Sequence, residues 1–369
     1  MFRRSGHIDK ILAFLIAALV IGGAMIFASA AFGLVARGSI AISSVVFGHL
    51  VLGIGCGILA LVVAAFLDYK YWRRIAPYLY VFGLIVTALV FVPHIGMEHG
   101  GGKRWILLGR ISLQPSEFLK VAVIIMGAAY FASMHSLVST WRYGLGGFLG
   151  LLAAPTAILV LQPDIGTLGV ITISLFSIYF ASGARIRHIA TALCIGVVAL
   201  GLLTIAKPYV RDRVMTFIDP SQGQQAESYQ IKQSLIAIGS GGLTGRGFGQ
   251  GIQKFTYLPE PMGDSIFAVA GEELGFIGSI TLILLFLAFA LRGYAISTRS
   301  SDPFGSLLAV GFATYLAIEA FINIAAMLGV APLTGIPLTF ISQGGSAMLA
   351  SLASAGILLN VSRYRVHKR

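Results

Sequence analysis

Acidic residues and cysteines are scarce in this chain. Its 369 residues include 14 Asp and Glu, against 26 Lys and Arg, and only two cysteines. Cys56 and Cys194 both lie inside apolar runs, far from any metal-like spacing, so the sequence predicts neither a disulfide framework nor a zinc site. Charged residues make up 11% of the chain and hydrophobic residues 57%, which excludes an ordinary soluble globular protein.

Apolar runs of about 20 residues recur along the whole length, and the mean hydropathy is +0.89. This pattern is typical of an all-α, polytopic membrane protein, and we predict one domain over 1–369. The first run is too long for a signal peptide and ends without a small-residue cleavage site, so we predict an uncleaved first span. Ten spans are predicted, at roughly 11–33, 44–67, 75–94, 115–134, 144–162, 165–182, 187–206, 264–291, 305–329 and 342–362.

The net charge of +12 does not indicate a nucleic-acid partner, because the basic residues are spread between the apolar runs. There they set the orientation of the protein in the membrane and contact anionic lipid headgroups. Their distribution favours both termini in the cytoplasm. Two of the predicted extracytoplasmic loops are informative. The first is 95–114, and the second, 207–263, lies between spans 7 and 8. The first contains Lys103, Arg104 and Arg110 and the second holds six cations, so we expect an anionic ligand.

The long loop 207–263 contains two patterns of its own. Ile231, Leu235 and Ile238 are spaced as on one face of a helix, which predicts a short amphipathic or re-entrant helix. Seven glycines follow between positions 239 and 251, and we interpret them as a hinge that lets the loop move over the membrane surface.

Asp264 stands directly after this loop, at the start of the predicted eighth span, and Lys254, Tyr257 and Glu260 lie with it within eleven residues. A nearby helix start favours its anion, whereas partial burial opposes ionisation. Such a carboxylate can act as a general base on a sugar hydroxyl, and the alternative is a helix cap without chemistry. Glu272 and Glu273 are expected to pair with loop or helix cations.

Five further polar residues lie in or beside the predicted spans. Glu117 and Lys120 share one helix face, so they either form an ion pair that fixes packing or line a cavity and touch substrate. Asp164, in a short turn, is either a helix cap or a substrate contact. Glu319 lies one turn before Asn323, and this pair is either functional or a buried packing contact.

Several motifs occur in one order along nearly the whole chain. They are Arg104-Trp105; Gln114-Pro115-Ser116-Glu117 with Lys120; Gln162-Pro163-Asp164-x-Gly166-Thr167; Tyr257-Leu258-Pro259-Glu260 leading to Asp264; Gly271-Glu272-Glu273-Leu274-Gly275; and Phe340-Ile341-Ser342-x-Gly344-Gly345-Ser346. Together they resemble the signature of the SEDS family, the shape, elongation, division and sporulation proteins. The stretch from Gln253 to Glu260 is more similar to FtsW-like members and their sporulation relative than to RodA.

The resemblance implies a peptidoglycan glycosyltransferase that polymerises lipid II into β-1,4-linked glycan with inversion. In the family the essential carboxylate lies in the large extracytoplasmic loop just before the eighth span, and the resemblance implies that this residue is Asp264. Arg104, Lys120 and Lys254 are expected to offset charge on the leaving diphosphate. The full set of expected substrate-binding residues is Arg104, Glu117, Lys120, Lys254 and Glu260. Structural or secondary roles are expected for Gln114, Asp164, Glu272, Glu319 and Ser342.

The resemblance also implies a multi-pass protein of the bacterial cytoplasmic membrane, with its active site on the outer face. A class B penicillin-binding protein, a transpeptidase, is the implied partner, with other divisome or elongasome membrane proteins. No cofactor is required by the sequence, although a divalent ion, Mg or Mn, can share the task of offsetting charge.

The chain departs from the family pattern at four positions. Gly263 and Ser265 flank the acid where Thr and Phe are usual, and Thr339 and Gln343 stand where Pro and Tyr are common.

Two other functions use the same features: a flippase of lipid-linked cell-wall precursors, which also needs a polar groove, and a non-catalytic scaffold for division proteins.

Overall fold

The computed structural model describes residues 7–36, 46–99, 102–108, 111–219 and 225–364. Predictions that concern other positions, such as that for Arg110, lie outside the described residues. Two π-helical segments, Val46–Gly55 and Trp141–Leu145, run directly into the helices that follow them. The helices are α1 (Lys10–Ala36), α2 (Cys56–Phe66), α3 (Tyr69–Ala88), α4 (Pro115–Ser133), α5 (Gly146–Leu161), α6 (Ile165–Ala181), α7 (Ile186–Ala206), α8 (Pro208–Ile218), α9 (Gln225–Ser240), α10 (Gln253–Thr256), α11 (Ile266–Ser297), α12 (Pro303–Met327) and α13 (Gly345–Ser362).

The predicted all-α, polytopic fold is confirmed. Within the described residues, nine helical stretches are long and apolar enough to cross a membrane, and α6 is a shorter apolar helix of 17 residues. Together they match the ten predicted spans in order. The ends differ by several residues: α3 begins at Tyr69, where Asp68 caps it, and α11 continues to Ser297.

A small sheet in the segment 96–113 was not predicted. β1 (Gly96–His99), β2 (Gly102–Leu108) and β3 (Ile111–Leu113) form an antiparallel sheet in the order β1-β2-β3. Met97 lies opposite Trp105, and Ile106 lies opposite Leu113. The strands are too short and too rich in glycine and charge to show a clear alternation in the sequence. Pairing makes this loop a fixed platform for the side chains of β2.

The long loop 207–263 is largely helical. It contains α8, α9 and α10, and the short helix predicted around Ile231 is confirmed as α9. Ile231 is 9% exposed, whereas Leu235 is 44% exposed, so only part of the predicted apolar face is enclosed.

The core of the bundle is built on α12 and α13, in each of which 78% of the residues in the apolar stretch are buried. In α7 the corresponding share is 6%, so this helix lies at the periphery. Small residues let neighbouring helices approach closely. At Gly356 of α13, for example, an added Cβ would lie 2.8 Å from the Leu61 Cα and 2.9 Å from the Ala64 Cβ of α2.

α11 is broken at Gly275, and the glycine-rich segment of the preceding loop repairs the break. Gly275 has a φ of +67° and a ψ of −164°, which only glycine adopts without strain. The hydrogen bonds that the helix loses are made with the loop: Phe276 N to Gly242 O, Ile277 N to Leu243 O, Arg246 N to Glu272 O and Gly247 N to Glu273 O, at 2.9 to 3.1 Å. The expectation that the glycines form a hinge over the membrane surface is therefore wrong. They are docked, because backbone among apolar helices must find its partners within the protein.

We predict that Gly356→Ala destabilises the protein by about 1–3 kcal/mol, because the new methyl group forces α13 away from α2. The measurement is the unfolding of detergent-solubilised protein. Gly196→Ala in α7 is the matched control: an added Cβ there meets nothing within 4 Å. Helix propensity then leaves the control unchanged or slightly more stable. Equal stability of the two variants would contradict the close packing of α2 and α13.

Candidate functional site

Asp264 lies in the turn between α10 and α11. The backbone N–H groups of Gly263 and Ser265 both donate to the Glu260 carbonyl, at 3.0 and 3.2 Å. Glu260 has a φ of +46°, a left-handed conformation that is uncommon outside glycine. The turn thus closes on itself and leaves Asp264 partly exposed, two residues before α11 begins.

The backbone of this turn is held from behind. Three consecutive carbonyl oxygens each accept a hydrogen bond from α12 or from the segment before α13. The bonds are Gln343 N to Met262 O (2.7 Å), Ser342 Oγ to Gly263 O (2.8 Å) and Asn323 Nδ2 to Asp264 O (2.9 Å). On its other side the turn meets α9, where Gln230 Nε2 donates to Ser265 Oγ at 3.0 Å.

Three charged side chains act on the Asp264 carboxylate. Burial raises its pKa and the Glu260 carboxylate raises it further, whereas the guanidinium groups of Arg213 and Arg104 lower it, and the resulting pKa is about 6. A carboxyl group with this pKa is mostly ionised at neutral pH and is a better proton acceptor than an ordinary aspartate.

Arg104 reaches the site from β2. Its Nε donates to Gln162 O at 3.3 Å, and its Nη2 donates to Pro163 O and, at 3.2 Å, to the hydroxyl of Tyr209. These bonds fix the planar guanidinium beside the turn that precedes α6. Arg104 is therefore brought close enough to Asp264 to lower the pKa of its carboxyl group.

Arg213 was not singled out by the sequence, where it was one of six cations in a long loop. It lies on α8, and its guanidinium carbon is 4.5 Å from the ring centroid of Tyr209. An added Cβ at Gly335 would lie 3.7 Å from Asp264 Oδ2 and 3.9 Å from Arg213 Nη2, so both side chains approach the same glycine. Arg213 also pairs with Glu227 of α9 at 3.3 Å. The sequence feature that could have singled out Arg213 is its spacing from Tyr209, since the two residues are one helical turn apart on α8.

Glu117 and Lys120 form an enclosed cluster with Glu319. Lys120 Nζ lies 2.9 Å from Glu117 Oε2 and also pairs with Glu319, and all three side chains are 1% exposed. Of the two alternatives left open by the sequence, this geometry matches the buried ion pair. Thr339 Oγ1 lies 3.2 Å from Glu319 Oε2. Lys120 is thus occupied within the bundle, which differs from the expectation that it offsets charge on a diphosphate.

Lys254 is enclosed as well. Its Nζ lies 2.5 Å from Glu273 Oε1 and donates to Ser29 Oγ at 2.7 Å and to Gly249 O at 3.1 Å, and the side chain is 0% exposed. The sequence predicted that Lys254 contacts diphosphate, but in the structure its side chain is buried, because the buried Glu273 carboxylate needs a cation of its own.

The glutamate pair on α11 is bound to the loop, as the sequence predicted. Glu273 pairs with Lys254, and Glu272 lies 3.5 Å from Arg246. Glu272 also accepts from the backbone N–H groups of Ile252 and Gln253. These two carboxylates therefore fasten the loop to α11.

The remaining predicted residues serve the local backbone. Asp164 Oδ1 accepts from Thr167 N at 3.3 Å and caps α6, which is one of the two roles left open for it. Gln114 donates through its backbone to Ser346 Oγ and through its side-chain amide to Ser116 Oγ, both at 3.2 Å. The site end of the bundle is thus fastened by polar side chains, while Asp264, Glu260, Arg104 and Arg213 are at least partly exposed.

We predict that Lys254→Met lowers the free energy of unfolding by about 3–5 kcal/mol, because it leaves the Glu273 carboxylate buried without its cation. The double variant Lys254→Met/Glu273→Gln should recover most of this loss, since no buried charge remains. Unfolding of the purified protein measures both, with Glu273→Gln as the control. A single Lys254→Met variant as stable as the parent would contradict the buried pair.

Comparison with known proteins agrees with this geometry. The family model described as "Cell cycle protein", which covers FtsW, RodA and SpoVE, matches residues 9–367. Stage V sporulation protein E of Bacillus subtilis is 39% identical over 85% of this chain and 86% of its own. A probable peptidoglycan glycosyltransferase FtsW of Geobacter metallireducens is 38% identical over 84% of this chain and 82% of its own.

Solved structures are similar over nearly the whole chain. A chain of a peptidoglycan synthase complex, described as coordinating polymerization and crosslinking, has a TM-score of 0.80 and 28% identity over 98% of this chain and 99% of that one. The crystal structure of the rod shape determining protein RodA of Thermus thermophilus has a TM-score of 0.70 and 27% identity over 98% of each chain. With the matched family model and relatives of this identity, the protein belongs to the FtsW/RodA/SpoVE family of multi-pass membrane proteins.

Proposed function

We propose that this protein is a peptidoglycan glycosyltransferase that polymerises lipid II, with Asp264 as its general base. The observation that carries the proposal is the position of Asp264: a partly exposed carboxylate with a raised pKa, beside two guanidinium groups. The names of the relatives, several of them probable peptidoglycan glycosyltransferases, support the same reaction. Such a constellation supplies the two things that a glycosyl transfer from a diphosphate needs, a proton acceptor and charge compensation.

In the proposed reaction the Asp264 carboxylate takes the proton from the 4-hydroxyl of the acceptor GlcNAc. The oxygen attacks the anomeric carbon of the donor from the face opposite the diphosphate, so a β-1,4 bond forms with inversion. The bond between that carbon and the diphosphate oxygen breaks, and the polyprenyl diphosphate leaves with the electron pair. Arg104 and Arg213 offset the charge that develops on it.

A divalent ion fits this site in a limited way. Among the residues that the structure describes, no group of three His, Cys, Asp or Glu side chains comes together to hold a metal. Magnesium, however, is commonly bound by one or two carboxylates and substrate phosphates. Glu260 and Asp264 are the carboxylates that would hold Mg or Mn, and the ion would add positive charge beside the diphosphate.

The proposal places the protein in the bacterial cytoplasmic membrane, with both termini in the cytoplasm and Asp264 on the outer face, where lipid II is polymerised. It also includes a class B penicillin-binding protein as partner, with other divisome or elongasome membrane proteins. The similarity to a chain of a peptidoglycan synthase complex supports this partner.

We expect Asp264→Asn to lower the polymerisation rate at least about 10²-fold, because the amide cannot accept the proton. The assay uses purified protein reconstituted with labelled lipid II and scores the length of the glycan product. Asp302→Asn is the control, since Asp302 caps α12 at the opposite end of the bundle. Full glycan synthesis by the Asp264 variant would overturn the base assignment.

The same reconstituted vesicles separate the alternative functions. A flippase moves labelled lipid II across the bilayer without forming polymer, and a scaffold does neither. We expect polymer from the parent protein. Transbilayer movement that survives Asp264→Asn, without any polymer from the parent, would favour the flippase.

The rate of polymerisation should fall as the pH is lowered through about 6, because the base is active only when ionised and its raised pKa brings protonation into this range. The charged groups that face Asp264 are Glu260, Arg104 and Arg213. Arg213→Gln should move the midpoint to higher pH, since it removes a positive charge that lowers the pKa. A rate that is constant between about pH 5 and pH 8 would contradict the assignment.

A further inference from the structure

The turn that carries Asp264 is held by an unusual run of contacts. The carbonyl oxygens of residues 262, 263 and 264 are each bound by a different donor, and all three donors come from the stretch between residues 323 and 343. Two of these donors are side chains, Ser342 and Asn323, and are therefore set by the sequence. They are 4% and 1% exposed, so neither is placed to touch a substrate.

Each of the two donors is itself fixed by a second hydrogen bond. Ser342 Oγ accepts from Leu338 N at 2.8 Å while it donates to Gly263 O, so its hydroxyl proton has one defined direction. Asn323 Nδ2 donates to Ile336 O at 2.8 Å as well as to Asp264 O, which uses both of its protons and settles the orientation of the amide.

The segment that carries Ser342 is held in a strained conformation. Phe340, between Leu338 and Ser342, has a φ of +64°, which is rare for a bulky residue, and its side chain is 2% exposed. Such strain persists only where the surrounding structure over-determines it, and it clusters at functional sites.

The other end of the segment reaches the enclosed charges. Thr339 Oγ1 lies 3.1 Å from Leu316 O and 3.2 Å from Glu319 Oε2, and Glu319 pairs with Lys120 of α4. The contacts therefore run without interruption from a buried ion cluster to the backbone of the Asp264 turn.

We propose that Ser342 and Asn323 are positioning residues, which set the place of the Asp264 carboxylate by holding the two carbonyl groups at and before it. The inference rests on the proposed function of Asp264 as the base. A misplacement of a reacting group by about 1 Å can lower a rate by about 10²-fold, so the loss of one such hydrogen bond should lower turnover more than substrate binding.

The test compares Ser342→Ala with Ser354→Ala in the reconstituted lipid II assay. Ser354 has a hydroxyl that is also fully buried, but this hydroxyl donates to Ala350 O within its own helix and has no contact with the site. We expect Ser342→Ala to lower kcat about tenfold or more with KM unchanged within about twofold. The Ser354→Ala variant should keep both constants within about twofold of the parent.

A second variant, Asn323→Leu, keeps the volume of the side chain and removes both donors. It should show the same separation of kcat from KM, and thermal unfolding of every variant checks that the protein is folded. Values of kcat within about twofold of the parent for folded Ser342→Ala and Asn323→Leu would overturn the inference, and so would a rise in KM alone, since that indicates a substrate contact.

Asp264→Asn is measured in the same assay to separate the two proposals. If this variant polymerises as fast as the parent, the base assignment fails and the positioning role fails with it. If it is inactive while the Ser342 and Asn323 variants keep their kcat, only the positioning role fails.

Discussion

Backbone that leaves helical geometry between apolar helices must find its hydrogen bonds inside the protein, because hydrocarbon offers none. The structure meets this constraint twice around the site. At Gly275, where α11 is broken, its backbone forms hydrogen bonds with the backbone of residues 242–247. At the Asp264 turn, three carbonyl groups are bound by Gln343, Ser342 and Asn323. The same bonds that satisfy the backbone also fix the loop and the turn, so a carboxylate can be held rigidly in a segment without regular structure.

A second consequence concerns charge. Burying an ionised side chain without a partner is costly, and two groups of enclosed charges among the described residues pair with each other. Lys120 lies between Glu117 and Glu319, and Lys254 is bound to Glu273. Asp264, by contrast, is partly exposed and is balanced at longer range by Arg104 and Arg213. Charges of the first kind join helices, whereas the Asp264 carboxylate stays partly exposed.

The site is assembled from elements with very different degrees of enclosure. The Asp264 turn is bound to α12 and to the segment just before α13, and these are the two helices with the largest buried share. Arg213 lies on α8, which follows α7 after one residue, and α7 is the least enclosed of the apolar helices that the structure describes. The base is therefore bound to the most buried part of the bundle, while one of its two balancing cations lies on a helix that follows the least enclosed one.

The sequence by itself determined the class of fold and the order of the apolar helices, and it singled out Asp264 as the candidate base. Hydropathy is a local property, and an acid at the start of an apolar run is visible without coordinates. Only the tertiary structure decided which cations face that acid. Lys120 and Lys254 carry the same charge as Arg213, but Glu319 and Glu273 help to enclose the two lysines, while Arg213 and Asp264 both lie near Gly335. The Glu117–Lys120 spacing is visible in the sequence, but the other two ion pairs join residues 199 and 19 positions apart, for which spacing contains no signal. The same holds for Ser342 and Asn323, whose hydrogen bonds to the Asp264 turn span 79 and 59 residues.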